Sequence, residues 1–296
     1  MPSKDVLFSI IVPTYNREVF IGKTIASILA QTYQRFEIII VDDGSKDNTA
    51  AVVKAFNDPR IHYYLKENGE RGAARNYGIA RTTGDYITFI DSDDVCYPNH
   101  FEVALGVIEA GKNTEVFHLA YEYRDTEGNL LSTKTHDKDL NEQLVRGNVI
   151  SCIGIFVKHG ILGGDLLFSE KRTLSGTEDW LLWLRLAARY TFGYSNTVTA
   201  CMINHDSRSV LNYDEQEMVV RTTLLMEGLR NDAVFVSKMG KHLQRIEAHM
   251  MSYMALHLAL SGDKKMALNY FAKAIKLDVG ELLTRRTLAI AKRLIL

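Results

Sequence analysis

The chain has 296 residues, of which 46% are hydrophobic and 24% are charged, and its formal net charge is −1. This length allows one large α/β domain, or one domain with an appendage, and is sufficient to bury a sizeable core. The near-neutral charge excludes an electrostatic basis for binding nucleic acid, so we expect any anionic substrate to be held by local groups.

The first third of the chain predicts strands that alternate with helices. Apolar, β-branched runs typical of buried strands occupy residues 7–13, 36–41, 61–65 and 86–90. Helical spacing of apolar residues follows the first three runs, with helix starts predicted near Arg17, Thr49 and Ala73. Three strand, loop and helix units followed by a fourth strand predict a parallel α/β sheet with right-handed crossovers.

The fourth strand leads into a turn that is crowded with carboxylates. Its four residues are Asp91, Ser92, Asp93 and Asp94. At neutral pH these carboxylates repel one another, so the cluster predicts a bound cation, and hard oxygen ligands favour Mg²⁺ or Mn²⁺ over zinc. The alternative is a helix start near Pro98 that is capped by one of these residues, and both interpretations can hold together.

After residue 115 the pattern predicts a mixed rather than a purely parallel sheet. Alternation at 116–123 predicts a half-exposed strand, a hairpin turn signal follows at 126–129, and 151–157 predicts another strand. A strongly apolar helix is predicted over 180–190, with Thr177 as its N-cap.

From about Asp214 the chain predicts helices almost to its end. Residues 254–277 predict two amphipathic helices broken at 261–263, similar to a single tetratricopeptide-type hairpin, which we interpret as an appendage. In 282–296 the cations share one sector of a helical wheel and leucines and isoleucines lie opposite. Two alternatives stay open for this helix, namely peripheral contact with an anionic membrane or ordinary core packing.

The cysteines indicate a reducing compartment. Cys96, Cys152 and Cys201 are odd in number, far apart and in no metal-binding spacing, so we expect reduced thiols. The N-terminal apolar run ends at Pro13 and is too short for a signal peptide, and no window reaches the ~18 apolar residues of a membrane span. We therefore expect a cytoplasmic protein, located at the inner face of the cell membrane if its last helix binds lipid.

Four loops at predicted strand ends carry polar groups, and such loops meet at one edge of a parallel sheet. They comprise residues 14–16, 42–45, 69–76 and 91–94. Together they offer carboxylates for a metal, the cation of Arg75, and a pair of acceptors in Asp42 and Asp43 for a base or ribose. A metal-bridged nucleotide diphosphate would use all of these groups.

Five motifs occur in a fixed order along the chain, namely VPTYNRE, VDDGSKDNT, GAARNYG, FIDSDD and TEDW. In this order they resemble the inverting family-two glycosyltransferases with the A-type, nucleotide-sugar-binding fold. The resemblance covers about residues 7–210. It implies an α/β, Rossmann-like sheet that is mixed, mostly parallel and flanked by helices. We predict a glycosyltransferase domain over 1–212, with a nucleotide-binding half (1–115) and an acceptor-binding half (116–212), followed by an all-helical region over 213–296.

The resemblance also implies which residues bind the donor and a metal. The donor-binding set is Pro13, Thr14, Tyr15, Asp42, Asp43, Arg75, Asp91, Ser92 and His205. Within it, Asp43 would accept hydrogen bonds from the base, and Asp93 would ligate Mn²⁺ or Mg²⁺ together with Asp91. The alternatives are a turn cap for Asp42, a surface ion pair for Arg75 and a solvated side chain for His205.

Asp179 matches the general base of the family in the motif TEDW. Inversion requires a group that removes the proton of the acceptor hydroxyl on the face opposite the leaving diphosphate. Adjacent helical residues point about 100° apart, so we expect only one of Glu178 and Asp179 to face the cleft. Trp180 could stack on an acceptor sugar or pack in the core.

The predicted function is a metal-dependent, inverting glycosyltransferase of the hexosyltransferase type. It would move a sugar from a nucleotide-diphosphate donor, with UDP as the expected nucleotide, to a saccharide or lipid-linked saccharide in surface-polysaccharide synthesis. A catalytically silent nucleotide-sugar-binding scaffold is the alternative. A nucleotidyltransferase would need a glycine-rich loop and a lysine after the first strand, and a Rossmann dehydrogenase would need GxGxxG there. The motif VPTYNRE at this position contains neither glycine nor lysine, so both classes are disfavoured.

Overall fold

The computed structural model describes residues 5–136, 139–205 and 215–295. Its strands are β1 (Phe8–Thr14), β2 (Phe36–Asp42), β3 (Ile61–Leu65), β4 (Tyr86–Phe89), β5 (Asp94–Cys96), β6 (Val116–Asp125), β7 (Leu130–Lys134), β8 (Ile155–Lys158) and β9 (Gly193–Asn204). The helices of the first 190 residues are α1 (Ile21–Leu29), α2 (Thr49–Lys54), α3 (Glu70–Ile79), α4 (His100–Glu109), α5 (Leu140–Leu144) and α6 (Glu178–Ala187). Those of the C-terminal region are α7 (Glu215–Arg230), α8 (Ala233–Met239), α9 (Leu243–Ser261), α10 (Lys264–Leu277) and α11 (Arg285–Ile295).

All nine strands belong to one sheet, in the order β3-β2-β1-β4-β8-β6-β9-β5, and β7 pairs with β6. The first four strands are mutually parallel, which confirms the prediction for this part of the chain. Strand β8 is antiparallel to both β4 and β6, so the second half of the sheet is mixed, as predicted.

The central strands are buried on both faces. Every residue of β1 is buried. Within this strand the consecutive residues Ile10 and Ile11 belong to two different core clusters. Because successive side chains of a strand point to opposite faces, each strand contributes alternately to both clusters. This explains why the sequence shows continuous apolar runs rather than alternation.

Two strands in the structure are absent from the sequence-based prediction. Strand β9 pairs in parallel with β6, with register shifts around Ala120, and β5 pairs antiparallel with β9. The burial of β9 follows no strict period and its first half carries Ser, Asn and Thr, so the usual strand pattern is missing. The strand predicted over 151–157 is shorter, because Cys152–Gly154 forms a 3₁₀ turn before β8.

Part of the C-terminal region forms a separate core cluster, to which Met254, Tyr270 and Ile290 contribute, whereas Phe235 and Ile246 join the cluster that also contains residues of β1 and α6. The predicted break between two helices is confirmed: Gly262 adopts a left-handed conformation, and the side chain of Asp263 accepts a hydrogen bond from Met266 N at 3.0 Å. Among the residues that the structure describes, no helix combines the length and apolar character needed to cross a bilayer. All three cysteines are free and buried.

The packing of α3 on β1 generates a testable prediction. A Cβ atom at Gly78 would lie 2.6 Å from Ile11 Cγ2. We expect Gly78→Ala to lower the free energy of unfolding by about 1–3 kcal/mol, because the fully buried Ile11 has no room to move. The measurement is urea unfolding followed by circular dichroism.

The matched control is Gly106→Ala in α4, where a Cβ atom would meet nothing within 4 Å. The free energy of unfolding of this variant should equal that of the wild type or exceed it by about 0.5–1 kcal/mol, because alanine reduces the flexibility of the unfolded chain. Equal stability of the two variants would contradict the close packing of α3.

Candidate active site

A cleft of about 790 Å³ opens at the edge of the sheet where the parallel strands end. The residues of the donor-binding prediction that line it are Pro13, Thr14, Tyr15, Asp43, Arg75, Asp91 and Ser92. Asp93 and Asp179 line the same cleft. The predicted base and the predicted metal ligands therefore lie in one cavity, although they come from distant parts of the sequence.

Arg75 lies at the centre of this arrangement. Its Nη2 donates to Asp91 Oδ1 and its Nη1 donates to Glu178 Oε1, each at 2.7 Å. The residue is only 2% exposed, so it does not form a surface ion pair. Since Asp91 follows β4 and Glu178 begins α6, this one guanidinium connects the two halves of the cleft.

Glu178 and Asp179 both line the cleft, so the expectation that only one of them would do so was wrong. They stand in the first turn of α6, where no preceding helical turn blocks a side chain. The Glu178 carboxylate bends back to accept a hydrogen bond from Gly176 N and is bound by Arg75. The Asp179 carboxylate instead accepts from Asn148 Nδ2 at 3.1 Å and from Trp180 N at 2.7 Å.

The environment of Asp179 makes its carboxyl group more basic. Burial and the neighbouring charge of Glu178 raise the pKa of Asp179 to about 6, although Arg75 acts in the opposite direction. A carboxyl with this pKa is ionised at neutral pH and still has substantial affinity for a proton. These are the properties required of a general base.

The residues on either side of this pair, Thr177 and Trp180, do not face the cleft. Trp180 is buried and donates from Nε1 to Leu144 O at 2.9 Å, so its indole packs in the core. Thr177 occupies the N-cap position of α6, as predicted, but its side chain makes no capping hydrogen bond, because Thr177 Oγ1 donates to Leu174 O.

The two adjacent aspartates after β2 have different surroundings. Asp43 lines the cleft, and its Oδ1 accepts from Lys66 Nζ at 2.6 Å and from Gly69 N at 2.9 Å. Asp42 is fully buried, and its carboxylate accepts from Ser45 N at 2.8 Å and Tyr63 OH at 2.6 Å. This geometry is that of a turn cap, which was the alternative for Asp42 in the sequence.

Asp93, which lines the cleft, and His205, which is not among its lining residues, form a second polar cluster. Asp93 Oδ2 lies 3.2 Å from His205 Nε2 and 3.5 Å from Arg17 Nε. The His205 ring stacks on Phe20 with the centroids 4.5 Å apart, which fixes its orientation. His205 is therefore buried rather than solvated.

This cluster has the chemistry of a shared metal site. Within residues 5–136, 139–205 and 215–295, no three His, Cys, Asp or Glu side chains group closely enough to hold a metal by themselves. In nucleotide-binding sites Mg²⁺ is usually held by one or two carboxylates, and substrate phosphates supply further ligands. Asp93 with His205 is a donor set that fits this mode of binding.

Several residues that line the cleft were missed from the sequence, namely Arg17, Arg71, Tyr121, Tyr123, Asn148, Cys152 and Met202. Arg71 precedes Arg75 by four residues on α3, so helical periodicity could have placed it on the same face. Arg17 belongs to the motif VPTYNRE and could have been included with it. Asn148 follows no strand end and has no such signal.

Comparison with known proteins gives a consistent match to one family. A sequence model of the family described as Glycosyl transferase family 2 matches residues 9–157. A glycosyltransferase of Rickettsia typhi, RT0329, is 31% identical over 210 residues, which cover 69% of this chain and 65% of that protein. A glycosyltransferase of Rickettsia bellii is 32% identical over 218 residues, which cover 71% of this chain and 30% of the relative. The chain thus spans about one to two thirds of the length of these relatives.

A solved structure shares nearly the whole fold. The structure of S. aureus TarS 1-349 in complex with UDP-GlcNAc superposes with a TM-score of 0.70 at 20% identity, and the match covers 97% of this chain and 88% of that chain. The coverage includes the C-terminal helices, so the predicted mixed sheet with a helical region after it is confirmed.

The buried position of Arg75 predicts a large cost for its removal. We expect Arg75→Met to lower the free energy of unfolding by about 3–5 kcal/mol, because Glu178 would be left buried without its cationic partner. The control is Arg230→Met, which removes a salt bridge to Glu247 from a side chain that is 54% exposed and should cost less than about 1 kcal/mol. Urea unfolding of both variants at pH 7 measures the difference, and similar losses would contradict the central role of Arg75.

The raised pKa of Asp179 predicts a pH-dependent stability. Because the pKa is higher in the folded state than in the unfolded chain, the contribution of this group is fully present below about pH 4 and is lost as the pH rises through 6. The free energy of unfolding of Asp179→Asn, relative to that of the wild type, should therefore rise by on the order of 2 kcal/mol between pH 4 and pH 7. The measurement is urea unfolding across this range.

The control for this experiment is Glu67→Gln, which neutralises an exposed carboxylate. It should change the unfolding free energy by less than about 0.5 kcal/mol at every pH. A constant difference between Asp179→Asn and the wild type would show that the Asp179 pKa is the same in the folded and unfolded states.

Proposed function

Because this chain belongs to glycosyl transferase family 2, we propose that it transfers a sugar from a nucleotide-diphosphate sugar to a hydroxyl group of a saccharide or lipid-linked saccharide, with inversion at the anomeric carbon. The observation that carries the proposal is the position of Asp179, a carboxyl with a raised pKa, in the same cleft as Asp91 and Asp93. A scaffold that only binds nucleotide sugars has no need of such a group.

The donor in this proposal is a UDP-sugar. Asp43 faces the cleft beside Pro13 and Tyr15, and a carboxylate there can accept a hydrogen bond from the ring N–H of uracil. The shared fold with the UDP-GlcNAc complex of TarS supports the same nucleotide. Arg17, Arg71 and Arg75 add positive charge along the wall where the diphosphate would lie.

Asp93 and His205, with Asp91 close by, would hold the Mn²⁺ or Mg²⁺ ion. When bound there, such an ion would supply positive charge to offset the charge that develops on the departing nucleoside diphosphate. Arg75 is committed to Asp91 and Glu178, so it holds the Asp91 carboxylate in place for this purpose.

Asp179 acts as the general base in the proposed transfer. Its carboxylate removes the proton of the acceptor hydroxyl while the oxygen forms a bond to the anomeric carbon. The bond from that carbon to the diphosphate oxygen breaks on the opposite face, and its electron pair leaves with the nucleotide. Asn148 and the backbone of Trp180 hold the carboxylate in orientation throughout.

The proposal includes peripheral binding to an anionic membrane through α11 and the 3₁₀ turn Val279–Leu283 before it. Ile290 is fully buried, so this helix packs on its neighbours. Leu283 and Leu288 are 92% and 72% exposed, and Arg285, Lys292 and Arg293 lie on the same short segment. Exposed leucines next to cations match the apolar boundary and the charge of an anionic bilayer.

The central test of the proposed activity is Asp179→Asn. This variant should lose transfer by about 10²–10⁴-fold, because the base is removed, and should keep its affinity for the donor within about twofold. The measurement combines product formation from a panel of UDP-sugars with calorimetric donor binding in the presence of Mn²⁺. Glu67→Gln should retain both properties, and full transfer by Asp179→Asn would refute the assignment of the base.

Vesicle binding tests the membrane proposal. Replacing Leu283 and Leu288 together by Ser should weaken co-sedimentation with phosphatidylglycerol vesicles by at least about tenfold, because each buried leucine contributes about 1.5–3 kcal/mol. The control replaces Leu130 and Leu131, which are also leucines and are 53% and 52% exposed on β7, by Ser. Unchanged sedimentation of the first variant would exclude this surface.

A further inference from the structure

His249 of α9 contacts the chain on both sides of the candidate base. Its ring packs against the indole of Trp180, with the centroids 5.3 Å apart and the planes at 62°. It also approaches Gly147 so closely that a Cβ atom there would lie 2.5 Å from His249 Cε1. Gly147 has a φ of +147°, a conformation that other residues rarely adopt, so glycine is required for two reasons.

These two contacts lie next to the two groups that hold the Asp179 carboxylate. Asn148, which donates to Asp179 Oδ2, follows Gly147 directly. Trp180, whose backbone N–H donates to Asp179 Oδ1, carries the indole that His249 contacts. Both hydrogen bonds to the carboxylate are therefore supported by the same imidazole from the C-terminal region.

Arg286 fixes His249 from the opposite side. Its Nη1 donates to His249 O at 3.0 Å and to Ser252 Oγ at 2.6 Å, and its guanidinium lies 3.2–3.3 Å from the imidazole nitrogens. Burial and the charge of Arg286 lower the pKa of His249 to about 3, although a hydrogen bond with the backbone of Arg146 acts in the opposite direction. The imidazole is therefore uncharged at neutral pH.

We propose that His249 is a positioning residue for glycosyl transfer, through which the C-terminal helices hold Asn148 and Trp180 around the Asp179 carboxylate. The inference rests on the proposed function, because it takes Asp179 as the base. A displacement of about 1 Å at a reacting group can cost 10²-fold in rate, so support from a residue that never touches the substrate is sufficient to affect catalysis.

The effect of His249 is one of position and water exclusion rather than charge. The charged and titratable groups that face Asp179 are Glu178, Arg75, Arg71 and Cys152. All four belong to the first 190 residues, so His249 is not among the groups whose charge shifts the Asp179 pKa. Loosening the 146–148 segment would admit water to Asp179 and lower its pKa, since burial is the largest cause of its elevation.

The kinetic experiment compares three full-length variants with the wild type. His249→Ala should lower kcat about 10–100-fold with the donor KM unchanged within twofold, and should move the acidic limb of the pH–rate profile from about 6 to lower pH. His249→Phe, which keeps a ring against Trp180 and Gly147, should restore most of kcat. His257→Ala, on the same helix and in ring contact with Tyr253, should leave kcat and the profile unchanged.

A second readout requires no substrate. The free energy of unfolding is measured for proteins with Asp or Asn at position 179, each with and without His249→Ala. The Asp–Asn difference should change less between pH 4 and pH 7 when His249→Ala is present than when His249 is retained. If no variant transfers sugar, the proposed function fails and this readout still decides the role of His249.

A purely structural role gives a different result. His249→Ala would then be less stable but would keep kcat, the acidic limb and the pH-dependent difference at position 179, and this outcome would overturn the inference. Should His249→Ala fail to fold, His249→Gln, which keeps a polar side chain without a ring, is judged by the same two readouts.

Discussion

The ion pairs of Arg75 are the interaction on which the rest of the site depends. Two carboxylates, Asp91 after β4 and Glu178 at the start of α6, share one buried guanidinium. Burying the charges of Arg75 and Glu178 is costly, and it is tolerated here because the two guanidinium hydrogen bonds each meet a carboxylate oxygen at 2.7 Å. The loop after β4 and the helix that carries the candidate base are thereby connected by one side chain.

This arrangement assigns different chemistry to two neighbouring carboxylates. Glu178 is bound by Arg75, whereas Asp179 lies partly buried beside the negative charge of Glu178, which raises the pKa of the Asp179 carboxyl. Sequence alone cannot distinguish the residues of such a pair, since both are acids in the first turn of one helix. Their partners in three dimensions distinguish them, because Arg75 binds Glu178 and Asn148 orients Asp179.

The parts of the fold and site that follow local rules were predictable from the sequence. Buried apolar runs predicted the four parallel strands, and polar residues at their ends predicted the rim that contains Asp43 and Asp91. The pairing of Arg75 with Glu178 joins residues 103 positions apart, which no local pattern encodes. Strand β9 was missed because tertiary pairing with β6, rather than apolar periodicity, holds its irregular sequence in the sheet.

The contact between His249 and the segment at Gly147 shows a further limit of motif-based interpretation. The five ordered motifs that suggested the function all lie before residue 181, whereas His249 belongs to the helical region that follows them. The match to the TarS structure covers 97% of the chain at 20% identity, so the fold of this region is shared. Residues that support a reaction from outside the motifs are visible only in three dimensions.

The burial of β1 on both faces has a consequence for how the sheet finds its alignment. A shift of this strand by one residue would still bury apolar side chains on either side, so hydrophobicity discriminates poorly between alignments. The polar strand ends discriminate better. The bond from Tyr63 OH to the buried Asp42 carboxylate fits the observed alignment of β2 with β3, and the bond from Asp43 N to Thr14 O fits that of β1 with β2. The rim of the candidate site therefore also favours one alignment of the strands.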